Sequence, residues 1–361
     1  MDLKTAIEKR LKRFREKLKE KDIDGALVTK RENYIYLSGF TGTSAFLVIT
    51  QEHALLLTDF RYVEQASTQA SLFEVIQYQG NLFSALNDVI KSKELNRLGF
   101  EDASVTYEKY NEYVSKLEIK EFAPLGNAIE SLRLSKDEIE LDVIRKAVQI
   151  ADDAFKHILG YLKPGVTETE IAAELEYHMK KLGAVKASFE TIVASGKRSS
   201  MPHGVASEKK LEMGDTITLD YGAYYNNYCS DMTRTVFLGQ PDEEMKKIYN
   251  IVLDAQLKAS EGAVTGLLGK EIDNIARSII SDNGFEKNFG HGLGHGLGLE
   301  IHEDPRLSPT GNITMENGMV VTVEPGIYVA GLGGVRIEDI VVINDNKPII
   351  LTQSTKEMII I

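Results

Sequence analysis

A two-domain α+β fold, with a smaller α/β part in front and a larger catalytic part behind, is what this 361-residue chain predicts. Three observations carry that expectation. The length is long for one ordinary domain and comfortable for two. The first third alternates short β-rich runs with helical patterns, whereas the rest sets long helical patterns beside two candidate β-hairpins. Six of the seven histidines fall after residue 150, which points the chemistry at the second part.

Composition narrows the function classes. With 43% hydrophobic and 27% charged residues the chain reads as a soluble globular protein. A net charge of -12 makes nucleic acid or an anionic membrane surface a poor partner. The single cysteine, Cys229, excludes an intrachain disulfide and a cysteine-built zinc site, and suits a reducing compartment. The opening Met-Asp-Leu-Lys lacks the apolar core of a signal peptide, and no apolar run approaches the ~18 residues of a membrane span. The expectation is a cytoplasmic protein.

Taken in order, Ile7, Leu11, Phe14 and Leu18 recur at helical spacing, and Glu8, Glu16 and Glu20 interleave with the basic residues of the polar face. That pattern predicts a solvated amphipathic helix, not a membrane-binding one. Strands are predicted over 25–29, 45–49 and 54–58. A domain break is placed near Leu134, where Ser135 and Glu138 have capping-box spacing. The helix they open carries Ile139, Val143, Ala147 and Ile150 and is expected to reach Leu162. Pro164-Gly165 interrupts the chain, Thr167 opens a helix to Lys181, and further helices are predicted over 242–263 and 271–283.

Two hairpin candidates carry carboxylates. In the run Thr216 to Val236, a two-residue turn at Asn226-Asn227 sets Asp220 opposite Thr233, with Asp231 two residues along the same strand. All three then share one face of the sheet. Two carboxylates side by side are costly without a cation, so the arrangement invites metal. In the run Val320 to Val342, a turn centred on Gly331 sets Glu324 opposite Glu338. Like charges in that position destabilise a sheet unless something positive lies between them; the plain alternative is a glutamate pointing to solvent.

The segment from Phe289 to Glu303 packs His291, His295 and His302 among five glycines. Glycine lets backbone approach a site closely, and neutral imidazole is a common ligand for first-row metals. A phosphate loop is excluded, because neither its Lys-Ser/Thr nor a full Gly-x-Gly-x-x-Gly is present. The His-Glu-x-x-His helix of zinc proteases is also excluded, since Arg306 stands where the second histidine would be.

These residues resemble the Xaa-Pro branch (aminopeptidase P and prolidase) of the pita-bread metallopeptidases. The resemblance rests on Ser188 to Gly196, Pro202-His203-Gly204, Leu219-Asp220-Tyr221-Gly222, Ser230 to Arg234, Gly290 to Glu303, Val323 to Tyr328 and Val335 to Asp339, in the family's order. Asn33 to Gly42 and Thr58 to Tyr62 resemble its N-terminal domain. The resemblance implies a creatinase/prolidase-like α/β domain with a mixed sheet over 1–130, followed by a pita-bread catalytic domain over 131–361. It implies that Asp220 binds one metal ion, His295 and Glu324 the other, and that Asp231 and Glu338 bridge both.

The chemistry then implied is attack on the scissile carbonyl by a hydroxide bridging two metal ions, with Glu324 also moving a proton toward the leaving nitrogen. His203, His291 and His302 match histidines that contact the peptide and its oxyanion, and Tyr328 and Arg336 match members of the surrounding hydrogen-bond network. Arg306 is a candidate for holding a substrate's C-terminal carboxylate, against the plainer reading of a surface arginine. Four carboxylates with one imidazole lean toward Mn2+, with Co2+, Zn2+ or Fe2+ as alternatives. The expected substrates are small peptides with proline second, and the expected assembly is a homodimer. Removal of the residue ahead of proline (aminopeptidase P) ranks first and prolidase second. Methionine-aminopeptidase-like activity and a non-catalytic binding protein of the same fold rank lower.

Overall fold

The four apolar residues spaced along the first helical pattern all turn inward. In the computed structural model, which describes residues 2–345 and 347–361, Ile7, Leu11, Phe14 and Leu18 are buried on α1 (Leu3–Glu20), capped by the Asp2 carboxylate. The chain divides into two units, Met1–Arg133 and Leu134–Ile361.

The first unit is built on six strands: β1 (Gly25–Val28), β2 (Phe46–Thr50), β3 (Ala54–Thr58), β4 (Glu74–Gln77), β5 (Arg97–Phe100) and β6 (Glu121–Pro124). They lie in the order β4-β3-β2-β1-β5-β6. The β1–β2 and β2–β3 pairs are antiparallel and the others parallel, so the sheet is mixed. Helices α2 (Arg31–Ser38), α3 (Val63–Gln69), α4 (Leu82–Ser92), α5 (Tyr107–Lys116) and α6 (Glu130–Arg133) connect and flank it. Leu86, Val89 and Ile90 of α4 pack with Leu27, Leu55, Leu57 and Tyr113 in its core.

The second unit opens on α7 (Glu138–Ile158), and here the sequence expectation needs correction. The N-cap is Asp137, not Ser135, and the box closes on Glu140. Ser135 bridges to Met319, and the Lys136 N–H donates to the Gly318 carbonyl, so this backbone is committed to an extended path before the helix begins. The helix also ends at Ile158, short of Leu162; Gly160 follows the C-cap, and Leu162 reaches the core from the irregular segment beyond it. Helix α8 (Glu168–Lys181) starts at the predicted Thr167 cap. Helices α9 (Glu243–Glu261) and α10 (Gly269–Asp282) lie within two residues of their predicted bounds.

The strands that matter for the site are β7 (Lys186–Ala187), β8 (Ile192–Ser195), β9 (Thr216–Tyr221), β10 (Ala223–Tyr225), β11 (Tyr228–Cys229) and β12 (Met232–Phe237), then β13 (Gly294–Gly296), β14 (Glu303–Leu307), β15 (Val320–Val323), β16 (Gly326–Val329), β17 (Gly333–Arg336), β18 (Asp339–Val342), β19 (Ile349–Ile350) and β20 (Ile359–Ile360). One sheet runs β20-β12-β9-β8, and α7 and α8 share a core with it. A second runs β14-β13-β15-β18-β19, with α9 and α10 in its core.

Both hairpins keep the expected register. Asp220 pairs with Thr233, and the turn residues Asn226 and Asn227 both have positive φ, as a two-residue hairpin turn requires. Val323 pairs with Asp339 and Gly326 with Arg336, which sets Glu324 level with Glu338. Each hairpin nevertheless splits between two sheets. The first splits at Gly222, where a Cβ would lie 1.8 Å from the Ser230 carbonyl oxygen. The second splits at Glu324-Pro325 and Ile337-Glu338. There the Glu324 N–H donates to Leu293 O and the Glu338 N–H to Thr233 O, so each strand turns its hydrogen bonds to a different neighbour.

Candidate metal centre

The splits put acidic residues where the ladders open. Asp220 is the penultimate residue of β9, Asp231 lies in the gap before β12, Glu324 follows β15, and Glu338 lies between β17 and β18. One carboxylate oxygen each from Asp220, Asp231 and Glu338 falls within 4.8 Å of the others. His295, on β13, approaches from the second sheet. Its Nε2 is 3.4 Å from Glu324 Oε1 and 3.6 Å from Asp231 Oδ2, the spacing of ligands around a shared cation rather than of a good hydrogen bond.

The donor set fits divalent metal. His295 Nδ1 lies 3.0 Å from the Gly296 carbonyl; a carbonyl only accepts, so Nδ1 carries the proton and Nε2 presents its lone pair to the acids. Its backbone N–H donates to Thr322 Oγ1, which in turn donates to Glu324 Oε1. Gly294 lets β13 come this close, since a Cβ there would meet Thr322 O at 2.0 Å. Asp220 Oδ1 and Glu338 Oε1 are buried with no hydrogen-bond partner, a costly state that a cation relieves.

Electrostatics agree. Burial, then repulsion from neighbouring carboxylates, pushes the Asp231 and Glu338 carboxyls well above the usual range. Burial pushes Glu324 up to about 7. Burial pushes His295 down to about 3, which keeps its imidazole neutral. Arg336 is the permanent counter-charge: burial opposes its ionisation, but Tyr328, Asp220 and Glu324 more than offset this.

Around the acids lies a cavity of about 520 Å3, lined in part by His203, His291, His302 and Arg306 and by Phe189, Ile192, Val205 and Ile301. Every site residue expected from the sequence lines it except Tyr328, which stands behind. Arg336 donates from Nη1 to the Tyr328 hydroxyl at 2.7 Å, from Nη2 to Asp220, and from Nε to Thr233 Oγ1 at 3.1 Å. His291 has both ring nitrogens engaged: Nδ1 donates to Gly292 O, and Nε2 accepts from Tyr328 at 3.0 Å. His302 packs edge-on against His295, with ring centroids 4.4 Å apart. His203 is exposed at the rim. Arg306 faces the acids because it pairs directly with His295 across β13 and β14.

Several supporting contacts go beyond what the sequence predicts. Thr233 Oγ1 donates to Glu338 Oε2 at 2.7 Å. Asp273, buried on α10, holds Arg277 and accepts the Leu293 N–H, while Arg277 donates to the carbonyls of Phe289 and His291. A charged i, i+4 pair on an otherwise apolar helix face was the available signal.

Comparison with known proteins follows the same lines. The family model of metallopeptidase family M24 matches residues 142–345, and that of the creatinase/prolidase N-terminal domain matches residues 10–135. A Xaa-Pro dipeptidase of Pyrococcus horikoshii is 41% identical over 352 residues, covering 97% of this chain and 98% of the relative. Among solved structures, a Xaa-Pro dipeptidase from Bacillus anthracis superposes with TM-score 0.97 at 46% identity, covering 98% of this chain and 100% of the other. An X-Pro aminopeptidase from Thermotoga maritima superposes with TM-score 0.90 at 38% identity, covering 97% and 99%.

Proposed function

The chain belongs to metallopeptidase family M24, and from that premise we propose that it is an exopeptidase hydrolysing the bond between an N-terminal residue and proline. The observation that carries the reading is the meeting of Asp220, Asp231, Glu338, Glu324 and His295 at the floor of one cavity. In this reading Asp220 would hold one ion and His295 and Glu324 the other, with Asp231 and Glu338 serving both. A set dominated by hard oxygen donors favours Mn2+ over softer ions. Two such ions, when bound, supply a Lewis acid for the carbonyl and an ionisable water at neutral pH.

The protein's own groups do the rest. Glu324, held by Thr322, takes and passes on the proton that the proline nitrogen must gain as its bond breaks. His302 and His203 stand on the cavity wall where a peptide carbonyl and its developing negative charge can be met. His291, Tyr328 and Arg336 form a chain that fixes Asp220, so that ligand cannot rotate as charge shifts. Proline suits a dedicated site because its tertiary amide has no N–H and a fixed φ, which proteases that read extended backbone handle poorly.

Two substrate lengths follow from this chemistry. The Xaa-Pro dipeptide now ranks first, because Arg306 faces the site from the position opposite His295 and can pair with a terminal carboxylate two-fold. The names of the Pyrococcus horikoshii and Bacillus anthracis proteins support the same choice. The Thermotoga maritima similarity keeps the aminopeptidase as the second reading. A homodimer, which rests on the family resemblance, and cytoplasmic residence, which rests on the composition and the single cysteine, belong to the same proposal, as does a domain division at 130/131, a few residues ahead of the division between the two units at Arg133 and Leu134. No helix among the described residues is long and apolar enough to cross a membrane.

The test is product analysis with chelator-stripped, Mn2+-restored protein. Cleavage of Ala-Pro with Ala-Pro-Ala left intact supports the dipeptidase. Release of alanine from the tripeptide supports the aminopeptidase. Cleavage of neither, with any divalent ion, overturns the proline-directed reading.

A further inference from the structure

Of the carboxylates lining the cavity, four belong to the proposed metal set and would be neutralised by two divalent ions. The fifth is Glu190. It is exposed at the cavity wall and makes no hydrogen bond or ion pair among the described residues. Glu190 is not a member of the acidic group, Asp220, Asp231 and Glu338, whose oxygens lie within 4.8 Å of one another.

The backbone beneath it is pinned on both sides. The Ser188 N–H donates to Gly222 O, and Thr191 Oγ1 donates to Glu176 at 3.0 Å. Ile192 pairs with Asp220 in the sheet and bridges to Val205. The carboxylate is therefore presented from a fixed frame, in a cavity whose wall also carries the apolar side chains of Phe189, Ile192 and Val205. An anion with no internal partner beside an apolar wall suits one kind of ligand group: a cation on a methylene stem. The stem lies along the wall, and the low-dielectric surface strengthens the charge pairing at its end.

We propose that Glu190 is a specificity residue, selecting a lysine or arginine side chain on the residue that precedes proline. This rests on the Xaa-Pro reading above. A substrate of that class carries two possible cations, its α-ammonium and its side chain. The α-ammonium is tied within two bonds of the scissile carbonyl and so stays near the metal centre, whereas a lysine side chain extends outward to a carboxylate at the wall.

The experiment compares kcat/KM for Lys-Pro, Leu-Pro and Glu-Pro in wild-type, Glu190→Gln and Glu190→Lys enzymes, all loaded with Mn2+. The expected result is a fall of roughly tenfold in the Lys-Pro to Leu-Pro ratio for Glu190→Gln, read mainly in KM, as loss of one partly solvated charge pair implies. Glu190→Lys should move the preference toward Glu-Pro. An unchanged ratio in both variants overturns the proposal. An equal loss on Lys-Pro and Leu-Pro also overturns it, because the group being read would then be the α-ammonium. A wild-type enzyme that cuts none of the three overturns the Xaa-Pro reading itself and this inference with it.

Discussion

The hydroxyl of Thr233 donates to Glu338 Oε2 at 2.7 Å, joining the two hairpins that carry the acidic residues. Thr233 Oγ1 in turn accepts from Arg336 Nε, and the same guanidinium donates from Nη2 to Asp220. One small side chain thus orients a carboxylate from each hairpin, one directly and one through the guanidinium.

Replacing that hydroxyl by a methyl group tests the connection. Thr233→Val should weaken metal affinity about 10- to 100-fold, as loss of a partner that orients a ligand does, while Thr233→Ser retains it. Competition against a fluorescent chelator measures both. Equal affinity in all three proteins would show that Glu338 is held well enough without the bond.

Metal removal should also cost stability. Buried carboxyls that crowd one another favour a bound cation, and a ligand present at a hundredfold excess over its Kd adds ~2.7 kcal/mol. Chelator-stripped protein should therefore unfold at a lower temperature than Mn2+-restored protein in a thermal melt. Coincident melts would mean that the centre does not bind the ion under those conditions.

Arg306→Met separates the two substrate lengths. Losing a charge-assisted contact to a terminal carboxylate should raise KM for Ala-Pro by about 10- to 100-fold. Any activity on Ala-Pro-Ala should change far less, because its carboxylate lies one residue further out. Matching losses on both peptides would show that Arg306 acts on the metal centre and not on the chain end.

Alkaline stability should depend on buried tyrosines. Burial pushes the Tyr113 and Tyr249 hydroxyls up to about 12 from the ordinary value of 10.0. The unfolded chain ionises these groups near 10 and the folded chain does not, so their contribution is present below that pH and is lost as pH rises toward 12. Tyr113→Phe should unfold less steeply with pH in that window, and the tyrosinate absorbance of the wild type should lag until unfolding. Reversible ionisation of all 15 tyrosines near their ordinary value, with the fold intact, would contradict this.

Local rules carried much of the architecture. Asn226 and Asn227 tolerate positive φ, so they name the turn, and a turn of known length sets the register of every pair behind it. The same logic at Gly331 placed Glu324 level with Glu338. Ile7, Leu11, Phe14 and Leu18 announced a buried stripe because helix period and apolar spacing agree. The cap of α7 is ambiguous in the sequence because Ser135 with Glu138 and Asp137 with Glu140 offer equivalent local bonding; the extended bridge of Ser135 to Met319 selects between them.

Which residues share a strand face, and which acids lie level within each hairpin, is legible in the chain alone, because both follow from periodicity and turn length. How the two hairpins meet is fixed by the packed fold: the splitting of each ladder at its acids, the Thr233–Glu338 bond across 105 positions, and the turning of Arg306 toward the same centre as His295. These depend on sheets packing side by side and on backbone N–H groups choosing between competing carbonyls. Such a choice is settled by the whole core and has no local signature in the chain.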